Sequence, residues 1–231
     1  MKLLGLEDAV LIQRLNRFAA QVRWRGQTAL AHVPNSGRLR ELMLPGARLR
    51  VWPAPPGRRT ACTLKMVEKD GVWVTVDAQL TNDLLEEAVR ANRVRGCEDV
   101  IGLRREVAYG GSRFDLACEN AQGRHLVEAK CSTLRAGDLA LFPDAPTPRG
   151  CKHLRELMAA AEAGLGAHVV ILVQHPGAAA FAPNGDTDPV FAQTLAEAAG
   201  RGVGVQALST CVRPDALELG EELPVLLGTR T

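Results

Sequence analysis

Along the first 80 residues the hydrophobic positions recur in short runs broken by turn residues, not in helical stripes. Apolar stretches fall at Ala9–Leu15, Phe18–Trp24, Thr28–Val33, Ala47–Trp52, Thr60–Val67 and Gly71–Val76, while Leu39–Met43 reads as one short helix before Pro45-Gly46. Short strands at this spacing predict a small barrel, with the OB-fold as the specific expectation. From about Thr81 the pattern changes. Asn82 or Asp83 can cap a helix running to about Arg93, with Leu84, Leu85, Ala88 and Val89 as its apolar stripe. A strand near Val100–Tyr109, a hairpin and a helix over about Pro148–Ala163 follow. The continuous apolar run at Ala167–Val173 suits a buried strand. Asp188 then caps a helix through Ala199, and Val203–Leu208 reads as a last strand. The order α-β-β-β-α-β-α-β is that of a mixed α/β domain. The expected fold class is α/β (α+β), with an OB-fold-like barrel over residues 1–80 and a mixed domain over 81–231.

The hairpin carries the chemistry. Asn120-Ala121-Gln122-Gly123 is a turn between two apolar-rich runs, and centring the loop there sets Asp115 opposite Glu128 and Arg113 opposite Lys130. Strand alternation then puts Arg113, Asp115, Leu126, Glu128 and Lys130 on one face, and Phe114, Leu116, Val127 and Ala129 on a core face. Opposed carboxylates repel unless a cation lies between them. An Asp and a Glu held together suit Mg²⁺ or Mn²⁺, hard cations that prefer oxygen ligands. Lys130, two residues beyond Glu128, can stabilise the charge that develops as water attacks phosphorus, or orient that water. The Asp…Glu-x-Lys string is common as text. Its placement on paired strands, after a helix and strand and before a helix, matches the core of PD-(D/E)xK nucleases, where a helix adds a further acid. Glu87 is the expected third acid, with Glu86 its competitor and Glu106 a further alternative. The alternative for the whole face is a solvated charge ladder.

Composition sharpens the picture in two ways. Residues 1–80 carry 13 Lys and Arg against 6 Asp and Glu, whereas residues 81–231 carry 15 against 20, so a net charge of +2 conceals a basic first third suited to a polyanion. The six cysteines, at 62, 97, 118, 131, 151 and 211, are scattered without a Cys-x-x-Cys pair, which favours a reduced, cytoplasmic protein over a disulfide framework or a zinc site. Glu7 and Asp8 interrupt the first apolar run, so it does not read as a secretory signal, and no segment approaches a membrane span of about 20 apolar residues.

Two further segments offer phosphate-binding groups. In FPDAPTPRGCKHL, Phe142–Leu154, three prolines lead Asp144 and Thr147 into a helix start, followed by Arg149, Lys152 and His153. A helix amino terminus beside basic groups suits phosphate, and Arg149 and His153 share a helical face. The same residues fit a plain reading, with Thr147 as cap, Pro148 at the first helical position and Lys152–Glu156 as a surface pair. In AHVPNSGRLREL, Ala31–Leu42, the turn presents Asn35, Ser36 and Arg38.

With these segments quoted, the chain resembles the sugar fermentation stimulation protein (SfsA) family. The matching text is AHVPNSGRL, PGARL, TND-LLEEA, EVAYGGSRFDL, LVEAKCSTL and FPDAPTPRGCKHLREL, in the same order along nearly the whole chain. Val33 replaces a cysteine of the usual stretch, and neither this nor the altered strand text around Lys130 touches the acid and lysine set. The resemblance implies an amino-terminal OB-fold, a PD-(D/E)xK nuclease-like second domain, sequence-nonspecific DNA binding and a regulatory link to sugar (maltose) metabolism. Three functions stay open on this reading. They are a metal-dependent DNA nuclease, in which Arg113, Arg149, Lys152 and His153 steady the phosphates, a non-catalytic DNA-binding regulator of sugar genes, and an RNA-processing or phosphate-ligand protein on the same scaffold.

Overall fold

The structure is a computed structural model and describes residues 1–228. Its first unit contains β1 (Glu7–Asn16), β2 (Ala19–Trp24), β3 (Gln27–His32), β4 (Arg48–Pro53), β5 (Cys62–Lys69) and β6 (Val72–Thr75). Alternate residues of these strands are apolar and point inward: Ala9 and Leu11, Ala20 and Val22, Leu49 and Val51 are all buried. The hydrogen-bonded order is β3-β2-β1-β4-β5-β6, and a parallel pairing of β3 with β5 closes β1–β5 into a ring. The result is the expected OB-like barrel. Leu39–Met43 is not a helix. It is a single turn in which the Leu42 and Met43 N–H groups donate to the Leu39 carbonyl. Five residues before a proline cannot propagate a helix, and Leu39 and Leu42 are buried in the barrel core.

The second unit contains α1 (Ala78–Arg90), β7 (Gly102–Tyr109), β8 (Ser112–Asn120), β9 (Gly123–Ser132), β10 (Leu134–Ala136), β11 (Leu139–Phe142), α2 (Pro148–Glu162), β12 (Gly166–Val173), β13 (Ala180–Pro183), α3 (Pro189–Gly200), β14 (Gly204–Arg213) and β15 (Ala216–Leu223). Its main sheet has the order β15-β14-β12-β9-β8-β7, and β9, β12 and β14 run parallel at its centre. Helix α1 packs on one face, with Leu116, Val127, Val170 and Leu172. Helices α2 and α3 cover the other, with Phe114, Leu126, Val169 and Ile171. The sheet is therefore buried on both sides, which corrects the single core face expected for the hairpin. Leu126 is core, and Phe114 packs in the α2 cluster while Leu116 packs in the α1 cluster.

Helix α1 also begins earlier than its Asn-Asp pair suggested. Asp77 is the cap, accepting the Gln79 N–H at 2.8 Å, because the apolar stripe runs back through Leu80. That cap locks the two units together. Lys65 of β5 forms a buried ion pair with Asp77 and lies 4.1 Å from the centre of the Trp52 ring. Ala78 N–H donates to the Pro34 carbonyl and Asn35 Nδ2 to that of Val76. Among the described residues, no helix is long and apolar enough to cross a membrane.

Candidate metal and phosphate site

The β8–β9 ladder pairs Asn120 with Gly123 and continues to Leu116 opposite Val127, the register expected from the turn. At the next position the ladder stops. The Asp115 carboxylate takes the place of a strand carbonyl, with Oδ2 accepting the Ala129 N–H at 2.8 Å and Oδ1 accepting Asn82 Nδ2 of α1 at 3.1 Å. Glu128, beyond the break, is paired only on its other side, with Val169 of β12. Its Oε1 accepts from Lys130 Nζ and His153 Nδ1. Its Oε2 is buried and, among the described residues, meets no donor.

Electrostatics divide the two carboxylates. Burial, then the charge of Glu128, push Asp115 up to about 6, against the opposing pull of Lys130. Burial also works to raise Glu128, but the Lys130 ammonium and the His153 imidazole outweigh it and hold that carboxyl below its ordinary value. The His153 ring is fixed by two contacts. Arg149 Nε can only donate and lies 3.4 Å from Nε2, so Nε2 accepts and Nδ1 carries the proton given to Glu128.

An open cleft of about 380 Å³ exposes this chemistry. Ala78, Thr81 and Asn82 of α1, the β8–β9 acids and Lys130, and Asp144, Thr147, Arg149 and His153 line it, together with Arg17, Asn35 and Ser36 from the barrel. The barrel wall is held from below by Arg14, which donates to the Arg17 carbonyl at 2.9 Å and the Gly37 carbonyl at 2.7 Å. On the opposite wall, Thr147 Oγ1 caps α2 by accepting the Gly150 N–H, with Pro148 in the first helical turn.

The fold gathers most, not all, of the expected site residues. Asp115, Glu128, Lys130, Arg149, His153, Asn35 and Ser36 share the cleft. Glu87 is outside it and pairs with the Met1 amino group at 3.6 Å, since five residues beyond Asn82 it lies roughly 140° around α1. Glu86 is held by Arg105 and Arg90, and Glu106 lies 3.9 Å from Arg113, so none of the three acids joins Asp115. Arg113, with its side chain 65% exposed, and Arg38 lie outside the cleft. Lys152 is turned aside, donating to the Gly111 carbonyl at 2.5 Å and pairing with Glu156. Sequence reasoning missed Asn82 as a partner of Asp115 and Arg17 as part of the rim. The earlier start of α1, legible in Leu80, was the available signal for Asn82.

The donor set fits a hard divalent cation. The buried Glu128 and the half-buried Asp115 line one cleft, and among the described residues Glu128 Oε2 lacks the partner that burial demands. Asp115, Glu128 and solvent would hold such an ion.

Comparison with known proteins bears on the whole chain. Residues 79–216 match the family described as "Sugar fermentation stimulation protein RE domain", and residues 12–76 match "SfsA N-terminal OB domain". The sugar fermentation stimulation protein homolog of Desulforamulus reducens is 39% identical over 222 residues, covering 96% of this chain and 93% of its own. The homolog of Natranaerobius thermophilus is 40% identical over 218 residues, covering 92% and 91%. A solved structure of Pyrococcus furiosus SfsA in complex with Ca²⁺ superposes with a TM-score of 0.92 at 31% identity, covering 98% of both chains.

Proposed function

We propose that this chain, which belongs to the sugar fermentation stimulation protein family, is a metal-dependent phosphodiesterase that binds DNA without sequence preference and hydrolyses its backbone. The observation that carries the reading is Glu128. A carboxylate buried beside a second one in a cleft lining, with one oxygen unpartnered among the described residues, is costly to keep unless it holds something. A Ca²⁺-bound relative supports a hard-cation assignment, and Mg²⁺ or Mn²⁺ would serve hydrolysis. When bound, such an ion neutralises phosphate charge and makes a coordinated water more acidic.

The protein groups have separable tasks. Asp115 and Glu128 hold the cation. Lys130, anchored by Glu128, orients the attacking water and offsets the negative charge that grows on the phosphate oxygens. Arg149 grips a phosphate oxygen across the cleft from Arg17, so the DNA strand lies between α2 and the barrel. His153 positions Glu128 and does not touch substrate. The six free cysteines suit a reducing cytoplasm.

The test is cleavage of single-stranded, double-stranded and branched DNA, and of RNA, with Mg²⁺, Mn²⁺ or EDTA. Metal-dependent cutting lost in both Glu128→Gln and Lys130→Ala is expected. Equal DNA binding by all three proteins with no cutting of any substrate would overturn catalysis in favour of a regulator of sugar genes that retains a nuclease scaffold. Cutting confined to RNA would replace the substrate and keep the chemistry.

A further inference from the structure

A second group of ligand-type side chains lies nearer the amino-terminal ends of the parallel strands, away from the cleft. One donor atom each from Cys97, in the loop after α1, His125 of β9 and His168 of β12 lies within 4.8 Å of the other two. We propose that Cys97 Sγ, His125 Nδ1 and His168 Nε2 form a binding site for a zinc-class transition-metal ion, separate from the Asp115–Glu128 site.

The hydrogen bonds around His125 support it. Asn120 Nδ2 donates to the carbonyls of Gly96 and Glu98, at 3.1 and 3.0 Å, which fixes the orientation of that amide. Its Oδ1 therefore accepts, from the Gln122 N–H and from His125 Nε2 at 3.0 Å. His125 thus carries its proton on Nε2 and presents a lone pair at Nδ1, 3.1 Å from His168 Nε2. An imidazole whose far nitrogen donates to a fixed oxygen is the usual support for a metal-bound histidine.

The backbone leaves room for both rings. A Cβ on Gly96 would come 2.7 Å from His168 Cε1, and one on Gly204 would come 2.7 Å from His168 Nδ1. A Cβ on Gly166 would collide with the His125 ring. Glycines from three separate segments thus accommodate two imidazoles, stacked with centres 5.4 Å apart. One thiolate with two imidazoles selects zinc over the hard cations suited to Asp115 and Glu128. On binding, Cys97 loses its thiol proton to solvent, and the proton that His168 Nε2 shares with His125 Nδ1 moves through solvent to His168 Nδ1. His168 is half-buried and borders a pocket of about 60 Å³ with Gly204 and Gln206, which gives the ion a way in.

The experiment uses the full chain, reduced and stripped of metal, titrated with Co²⁺ in excess Mg²⁺, followed by displacement with Zn²⁺. A saturable thiolate-to-cobalt charge-transfer band at one ion per chain is expected. It should be lost in Cys97→Ser and retained in Glu128→Gln, and Zn²⁺ should abolish it. No band in the reduced wild type would overturn the site and leave the histidines as a hydrogen-bonded pair. A band removed by Glu128→Gln and spared by Cys97→Ser would overturn it too. Zinc-edge X-ray absorption on the wild type decides the matter without any variant. One sulfur with two imidazole nitrogens supports the site, and oxygen or nitrogen ligands alone refute it.

Discussion

Asp144 Oδ2 accepts the backbone N–H of Leu39 at 2.8 Å, so the loop that leads into α2 is tied to the barrel 105 residues earlier in the chain. Leu39 sits at a φ of +48°, and Gly37 packs so closely that a Cβ there would come 2.8 Å from both Asp144 carboxylate oxygens. Asp144 and Gly37 both line the cleft, so this contact lies in its wall. Asp144→Ala leaves the Leu39 N–H without its acceptor at a partly buried position. The expected cost is about 1–3 kcal/mol in chemical denaturation. A loss within experimental error would mean that the two walls are held by other contacts.

Lys130 is the cation that makes the buried Glu128 carboxylate, with the half-buried Asp115 beside it, tolerable without metal. Lys130→Ala should destabilise the metal-free protein by about 3–5 kcal/mol, the usual cost of leaving one partner of a buried ion pair alone. Saturating Mg²⁺ should return part of that loss, since a cation held by Asp115 and Glu128 replaces the missing charge. Thermal unfolding with Mg²⁺ and with EDTA measures both effects. A variant as stable as the wild type in EDTA would remove Lys130 from this role.

How much of this was legible in the sequence depends on how local the cause is. The hairpin register from the turn to Leu116–Val127 followed from a four-residue turn and alternating apolar positions, both properties of adjacent residues, whereas the expected Asp115–Glu128 and Arg113–Lys130 pairings lie beyond the point where the ladder stops. The Thr147 cap with Pro148 and the Asp188 cap were readable for the same reason. That α1 sends Asn82 and no acid to Asp115 was not, because the contact joins residues 33 apart and the Asn82-Asp83 pair read as a cap. Strands β10, β11 and β13 are too short to show a period, and they exist because they pair with one another. Cys97, His125 and His168 are at least 28 residues apart in sequence, and only the strand order unites them.

Asp115 predicts a pH dependence whose sign can be worked out. Its folded pKa of about 6 lies above an unfolded value of about 4. Its contribution to stability is therefore fully present below about pH 4 and is lost as pH rises through 6, by about 3 kcal/mol in all. Glu128 acts in the opposite direction: its pKa is lowered, so its contribution is present above the ordinary carboxylate range and is lost in acid. The difference between wild type and Asp115→Asn in EDTA isolates the first effect. Asp115→Asn should gain on the wild type between pH 5 and 7, within about an order of magnitude of the linkage value. Divalent-cation affinity of the wild type should fall about tenfold per pH unit below 6, because the ion must displace the Asp115 proton. A flat calorimetric profile from pH 5 to 7 would contradict the raised value.

The path of DNA through the cleft makes its own prediction, separate from cleavage. Arg17 and Arg149 line opposite walls, whereas Arg113 is outside the cleft. Each arginine that neutralises a phosphate releases condensed counterions, so the slope of log affinity against log salt should shrink by about 0.9 per contact removed for duplex DNA. Arg17→Ala and Arg149→Ala should each weaken binding on every sequence and each flatten the slope by about that amount. Arg113→Ala should leave both unchanged. Arg149→Ala also removes the donor to His153 Nε2, so its effect on binding should be checked against His153→Asn, which removes that acceptor and leaves the arginine in place. Fluorescence anisotropy across a salt series gives all four slopes. If Arg113→Ala flattens the slope and the two cleft variants do not, the strand runs along the outer face of the hairpin, and the catalytic reading of the cleft fails with it.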